Sequence, residues 1–164
     1  MTADSIRPAA PNDVAAIVGL VRELATYERA GHEVRLTEDL LRESLFNDSP
    51  RVFAHIAEAD DVVVGIAIWF FNYSTWRGKH GIYLEDLYVA PEHRGRGLGR
   101  ALLQTLAQEA VRRNCARVEW WVLDWNTPAI DFYTSLGATP MDEWTVYRLT
   151  GEGLRDLAGD IEAS

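Results

Sequence analysis

Val89-Ala-Pro-Glu-His-Arg-Gly-Arg-Gly-Leu-Gly-Arg-Ala-Leu-Leu102 joins an apolar, strand-like run to a strongly helical one through a turn with glycine at 95, 97 and 99. Glycines let the backbone come close to a ligand, and the unpaired N–H groups at the start of the following helix are free to point at an anion. Arg94, Arg96 and Arg100 add positive charge there, in a chain whose formal net charge is −9. The spacing excludes two nucleotide motifs. A dinucleotide fingerprint, Gly-x-Gly-x-x-Gly, would need glycine where Arg100 stands, and no Gly-Lys-Ser or Gly-Lys-Thr tripeptide is present for a Walker A loop. Two readings survive at this point: a pyrophosphate cradle, or simply a tight turn into a helix.

On the N-terminal side of the turn, Ile82 to Val89 reads as a long strand. Before it, Val52–Glu58 and Val62–Tyr73 are rich in β-branched and aromatic residues, and Ala59-Asp60-Asp61 between them predicts a hairpin. Apolar residues at Val14, Ile17, Val18, Val21, Leu24 and Ala25 have helical spacing, with Asn12 or Asp13 as cap, and a second helix is predicted from Thr37 to Phe46. A short extended start lies at Ile6. On the C-terminal side, a helix is expected from about Gly97 to Asn114 and a strand over Val118–Leu123. Asn126-Thr127-Pro128 then opens a helix that Gly137 ends. A final strand over Trp144–Thr150 and a short helix after Gly153 complete the series. The fold class is α/β: a mixed, mostly antiparallel sheet flanked by helices, with a strand–helix–strand unit in the middle. Residues 1–164 are expected to form a single domain.

The acidic balance argues against a nucleic-acid partner, which needs excess Lys and Arg to neutralise phosphates, and suits a cationic one or mere solubility. The single Cys115 has no partner for an internal disulfide, and the N-terminus lacks a signal-like apolar run. No stretch approaches the roughly 20 apolar residues that span a bilayer. A cytoplasmic protein with no membrane association is therefore expected. His55, His80 and His93 have no metal-ligand spacing with one another or with Cys115, so no metal is predicted.

Arg94-x-x-Gly97-x-Gly99, after an apolar strand and opening a helix, resembles the acetyl-coenzyme A loop of the GCN5-related N-acetyltransferases (GNAT). Trp125-Asn126-Thr-Pro128-Ala-Ile130-Asp-Phe132-Tyr133-Thr-Ser-Leu136-Gly137-Ala138 resembles that family's second signature, and the order of strands and helices is that of the GNAT fold. Within the family, the fragments Ile6-Arg7-Pro8-Ala9, Glu23-Leu24-Ala25-x-Tyr27-Glu28, Tyr83-Leu84-Glu85-Asp86 and Trp125-Asn126-x-Pro128 are most similar to the diamine acetyltransferases of the spermidine/spermine and thialysine types. Around Pro140 to Glu143 the chain is shorter than the polyamine enzymes.

The resemblance implies an acetyl-CoA-dependent N-acetyltransferase that acts on a primary amine of a small polycationic or lysine-like substrate, by direct attack in a ternary complex. Acetylation of a peptide amine and a non-catalytic acyl-CoA-binding domain are the competing readings. By the same resemblance Tyr133 is the general acid and Glu85 the amine contact and base, directly or through water; a helix residue with its ring in the core and a plain surface carboxylate are the alternatives. Glu85 and Asp86 are neighbours on a strand, so they are expected to point to opposite faces, and Asp86 is the electrostatic contact for a distal amine. Leu87, Tyr88 and Val89 would offer backbone groups to the pantetheine arm. Arg94, Gly95, Arg96, Gly97, Leu98, Gly99 and Arg100 would hold the pyrophosphate. Asn126, Pro128 and Ala129 would meet the coenzyme at the second helix, although Asn126 also reads as an ordinary cap. Tyr27 and Glu28, with Glu119, Trp120, Trp121, Glu143 and Trp144, are the candidates for an acidic, aromatic-lined amine groove. The resembling enzymes imply a homodimer.

Overall fold

The computed structural model describes residues 4–161. They divide into two compact units, one ending at Leu123 and one beginning at Asp124. The first contains β1 (Ser5–Pro8), α1 (Val14–Tyr27), α2 (Glu38–Leu45), β2 (Phe53–Ala59), β3 (Val62–Ser74), β4 (Lys79–Val89), α3 (Leu98–Arg112) and β5 (Val118–Trp120). Its five strands lie in the order β1-β2-β3-β4-β5. All neighbours are antiparallel except β4 and β5, which α3 connects as a parallel pair.

Local chemistry sets the element ends. The Thr37 side chain accepts the Leu40 N–H at 3.2 Å and caps α2. Before α1, Asp13 Oδ2 accepts the Ala10 N–H at 2.7 Å and pairs with Arg7 Nη1 at 2.7 Å, while Arg7 Nε reaches Glu58 at 2.7 Å. These bonds pin the entry of α1 to β1 and β2. The expected hairpin is a two-residue turn in which Asp60 (φ 51°) and Asp61 (φ 63°) are both left-handed, as a type I′ turn requires.

Both sheet faces are covered. On one, Val14, Ile17 and Val18 of α1 and Leu41 and Leu45 of α2 form a core with Ile56, Ile66, Ile68 and Tyr88. Leu98, Leu102 and Leu106 of α3 are buried where that helix packs on β2, β3 and β4. At about 25 cal/mol per Å² of apolar surface removed from water, burying one such leucine or isoleucine contributes roughly 2 kcal/mol.

The ladder between β3 and β4 carries a bulge. Ile68 pairs with Asp86 and the next residue, Trp69, pairs with Leu84, so Glu85 has no opposite number. The ladder between β4 and β5 ends at Leu84 and Trp120, one residue before that bulge. For this reason β5 stops at Trp120, short of the Leu123 the sequence suggests. From Asp86 to Val89, the side of β4 away from β3 has no strand partner among the described residues.

The second unit holds α4 (Thr127–Ser135) and α5 (Gly151–Ala158). The final strand predicted over Trp144–Thr150 is absent: these residues are irregular and exposed. Alternating side chains make a strand only if a neighbouring strand takes up the ladder hydrogen bonds, and this unit contains no other strand. Instead Trp144 N–H closes a turn onto Met141 O at 3.2 Å. Helix α5 begins at Gly151, earlier than expected.

Candidate active site

The bulge decides how the two acids of β4 are presented. Asp86 and Tyr88 lie opposite Ile68 and Ile66, so they share the sheet face covered by α1. Asp86 is half-buried and Glu85 is exposed. Desolvation pushes the Asp86 carboxyl up to about 6, and the nearby charges of Glu85 and Glu28 push in the same direction. Burial also raises Glu28, the residue that follows α1. The expectation that Glu85 and Asp86 face opposite ways assumed regular alternation, and the bulge interrupts alternation between them. Asp86 is thus a carboxylate whose pKa is raised towards the physiological range while it remains mostly ionised there.

Glycine conformation builds the cradle. After a short turn at Pro91–His93, Gly95 (φ 78°) and Gly97 (φ 81°) are left-handed, and α3 starts at Leu98 with Gly97 as its cap residue. No side chain caps that helix start, and a Cβ built on either glycine would meet nothing within 4 Å. The first N–H groups of α3 therefore have no side-chain cap, and the glycine turn before them is open beside Gly95 and Gly97, which suits an anion. Gly99 lies inside the first turn of α3 and is not among the left-handed glycines, so two of the three glycines shape the turn.

The three arginines of the segment differ. Arg100 is exposed. Arg96 forms an ion pair with Asp4 and lies 3.4 Å from His93 Nδ1. Arg94 donates from Nε to Val89 O at 2.9 Å, and its guanidinium sits over the rings of Tyr88 and Tyr27, 5.3 and 5.7 Å from their centroids. Burial, first among the causes, raises the Tyr88 pKa, and the Glu23 carboxylate of α1 acts on its hydroxyl in the same direction. Glu23 was no part of the predicted site; its helical spacing from Tyr27 was the available signal.

Around β5, Glu119 accepts from Arg117 Nε at 2.8 Å and from Asn72 Nδ2 at 3.3 Å, so its charge is already partnered. Trp120 is half-buried at the end of the ladder. Trp121 is exposed and meets Tyr83 edge to face at 5.8 Å, with Tyr83 5.0 Å from Phe70. These rings continue the β4 face beyond the bulge. Asn72 Oδ1 is buried without a partner, 2.5 Å from where a Cβ on Gly81 would lie, so a larger residue at 81 would displace the Asn72 side chain.

In the second unit Asn126 Oδ1 accepts the Ala129 N–H at 3.4 Å, with Pro128 in the first turn of α4. Tyr133 is half-buried, its ring 5.5 Å from Phe132 and its carbonyl accepting from Leu136 and Ala138 at the helix end. Glu143 and Trp144 lie in the exposed irregular stretch. Within the first unit, Glu28, Glu85 and Asp86 converge electrostatically, and Tyr27, Tyr88 and Arg94 converge by contact. Among the described residues no cluster of His, Cys, Asp and Glu could hold a metal ion, and no helix is long and apolar enough to cross a membrane.

A glycine-shaped helix start thus follows a bulged strand whose outer edge has no strand partner among the described residues, with the charges of Glu28 and Glu85 acting on Asp86 of that strand. The chain belongs to the Acetyltransferase (GNAT) family, whose model matches residues 17–138. It is 39% identical to the thialysine N-epsilon-acetyltransferase of Bos taurus, over 94% of this chain and 96% of that protein. It is 33% identical to the L-ornithine N5-acetyltransferase of Arabidopsis thaliana, over 93% and 86%. Among solved structures, an integron cassette protein from the mobile metagenome of V. cholerae superposes with a TM-score of 0.80 at 29% identity, covering 98% of this chain and all of that one. The protein is thus an N-acetyltransferase with acetyl-CoA as its co-substrate.

Proposed function

We propose that this enzyme acetylates a primary amine of a small polycationic or lysine-like molecule of the diamine, polyamine or thialysine type. The observation that carries this is the group of carboxylates Glu28, Glu85 and Asp86, with Asp86 held near pKa 6. A substrate ammonium of ordinary pKa near 10.4 must lose a proton before it can attack a thioester. A carboxylate that is desolvated, yet mostly ionised above pH 6, binds the ammonium and takes that proton, directly or through water. Burial favours Asp86 over Glu85 for this step. Exposed Glu85, with Glu28, then attracts the second cationic group that a diamine or lysine analogue carries. Tyr27, Trp121 and the acidic, aromatic residues Glu119, Trp120, Glu143 and Trp144 are the remaining candidates for the amine groove.

Once Asp86 has passed the ammonium's proton to solvent, the neutral amine nitrogen forms a bond to the thioester carbon, and its second proton goes to Asp86. As the C–S bond breaks, Tyr133 gives the departing thiolate a proton. The unpaired edge of β4 at Leu87, Tyr88 and Val89 offers backbone groups to the pantetheine arm and the developing oxyanion, an interaction whose removal typically costs about 100-fold or more in rate. Gly95, Gly97, Leu98 and Gly99, with Arg96 and Arg100, hold the pyrophosphate, and Asn126, Pro128 and Ala129 complete the coenzyme site. One domain over residues 1–164, a homodimeric assembly and a cytoplasmic location belong to the same proposal.

Purified protein is offered acetyl-CoA with putrescine, spermidine, thialysine, ornithine and a lysine peptide, and free thiol release is followed. Turnover of one or more of the small amines in preference to the peptide is expected. Turnover of the peptide alone, or of none, refutes the assignment.

A further inference from the structure

We infer that Arg94 is a positioning residue that holds the acid-bearing end of α1 against β4, and is not a phosphate ligand of the cradle. The inference rests on the proposal that Asp86 accepts the substrate proton. Arg94 stands between the two elements that matter for that step. Its Nε is committed to Val89 O at 2.9 Å, which fixes the guanidinium relative to β4. One guanidinium contact is the ring of Tyr88, two residues after Asp86, and another is the ring of Tyr27, the last residue of α1. Glu28 follows Tyr27 directly, and its charge is one of the two that act on Asp86; the other is Glu85 on β4 itself, while β3 presents Ile68 opposite. Glu23 of α1 also acts on the Tyr88 hydroxyl, between the same helix and strand.

The guanidinium suits this task because it is planar, stacks on aromatic faces and carries an Nε donor in a fixed direction, none of which lysine reproduces. Holding Glu28 near Asp86 does two things at once. It keeps a second carboxylate available for a dicationic substrate, and it adds a repulsion to the burial and the Glu85 charge that raise the Asp86 carboxyl.

Arg94→Ala and Arg94→Lys are compared with the unsubstituted enzyme by four measurements: acetyl-CoA affinity by calorimetry, amine KM and kcat, the pH profile of kcat/KM, and hydrogen exchange of the amides from 24 to 30. Losing the two cation–π contacts predicts a weakening of about tenfold in amine KM, with acetyl-CoA affinity kept within about threefold. The acidic limb of the profile shifts to lower pH, exchange at 24–30 accelerates, and lysine restores neither. Tyr27→Ala reproduces the faster exchange. A loss of tenfold or more in acetyl-CoA affinity, with the limb and the exchange unchanged, overturns the inference. If no amine is turned over, the proposed reaction fails, yet calorimetry and exchange still decide what Arg94 does.

Discussion

Replacing Asp86 with asparagine separates the demands of stability from those of catalysis. The carboxyl is raised from 3.8 to about 6 in the fold, and two pKa units correspond to about 3 kcal/mol between the protonation states. For an acid whose folded pKa is raised, the ionised form is the one the fold disfavours. The cost is absent below the unfolded value near 4, grows between pH 4 and 6, and is fully present above 6. Because Asp86 is half-buried, solvent screens part of this, and the asparagine variant gains up to about 3 kcal/mol at pH 8 and almost nothing at pH 4. The same variant loses the proton acceptor, so kcat/KM falls by about 100-fold or more and the limb near pH 6 disappears. Thermal melts at pH 4.5 and 8, alongside kcat/KM across that range, measure both. Equal destabilisation at the two pH values, or an unchanged limb near 6, would show that the carboxylate is neither strained nor catalytic.

Tyr133→Phe should lower kcat by about 100-fold or more with little change in melting temperature; unaltered turnover removes its role as acid. Gly97→Ala forces an alanine to φ 81° and should cost about 1–2 kcal/mol, while KM for acetyl-CoA rises more than that for the amine, as steady-state kinetics would show. His55 is buried, accepts the Trp69 Nε1–H at 3.0 Å on Nδ1, and has its pKa lowered chiefly by desolvation. It is neutral in the fold, so its contribution is present above about pH 6.5 and declines as pH falls below that value. This opposes the Asp86 effect, and a melt series should show the acid-side loss most clearly in the Asp86→Asn background. Asp13, lowered by its bond to Arg7, contributes stability above its unfolded pKa that is lost as pH falls below about 4; Asp13→Asn should cost about 2 kcal/mol at pH 7 in a urea melt.

Periodicity made most of the first unit legible. The leucines and valines of α1 and α3 announced their buried faces, and Asp60-Asp61 announced a hairpin, because each signal is local. The glycine cradle was legible for the same reason: left-handed φ values at Gly95 and Gly97 follow from residue type. The bulge was not. Nothing in Tyr83-Leu84-Glu85-Asp86-Leu87 marks an extra residue, since a bulge is a property of two paired strands and only the register with Ile68 and Trp69 reveals it. One misjudgement belongs to the same stretch of sheet: the full length of β5, whose ladder with β4 ends at Leu84 and Trp120. The Trp144–Thr150 strand failed for a related reason, because alternation describes a side-chain pattern and pairing requires a neighbour.

The interruption at Glu85 leaves four residues of an interior strand with one row of backbone donors and acceptors unclaimed by another strand. Open edges of this kind template intermolecular pairing, and natural proteins usually blunt them with charge or proline. Here Leu87, Tyr88 and Val89 are neither. In the proposed binding mode the coenzyme arm lies along this edge and also shields it, so the enzyme without coenzyme should aggregate faster than the enzyme with it.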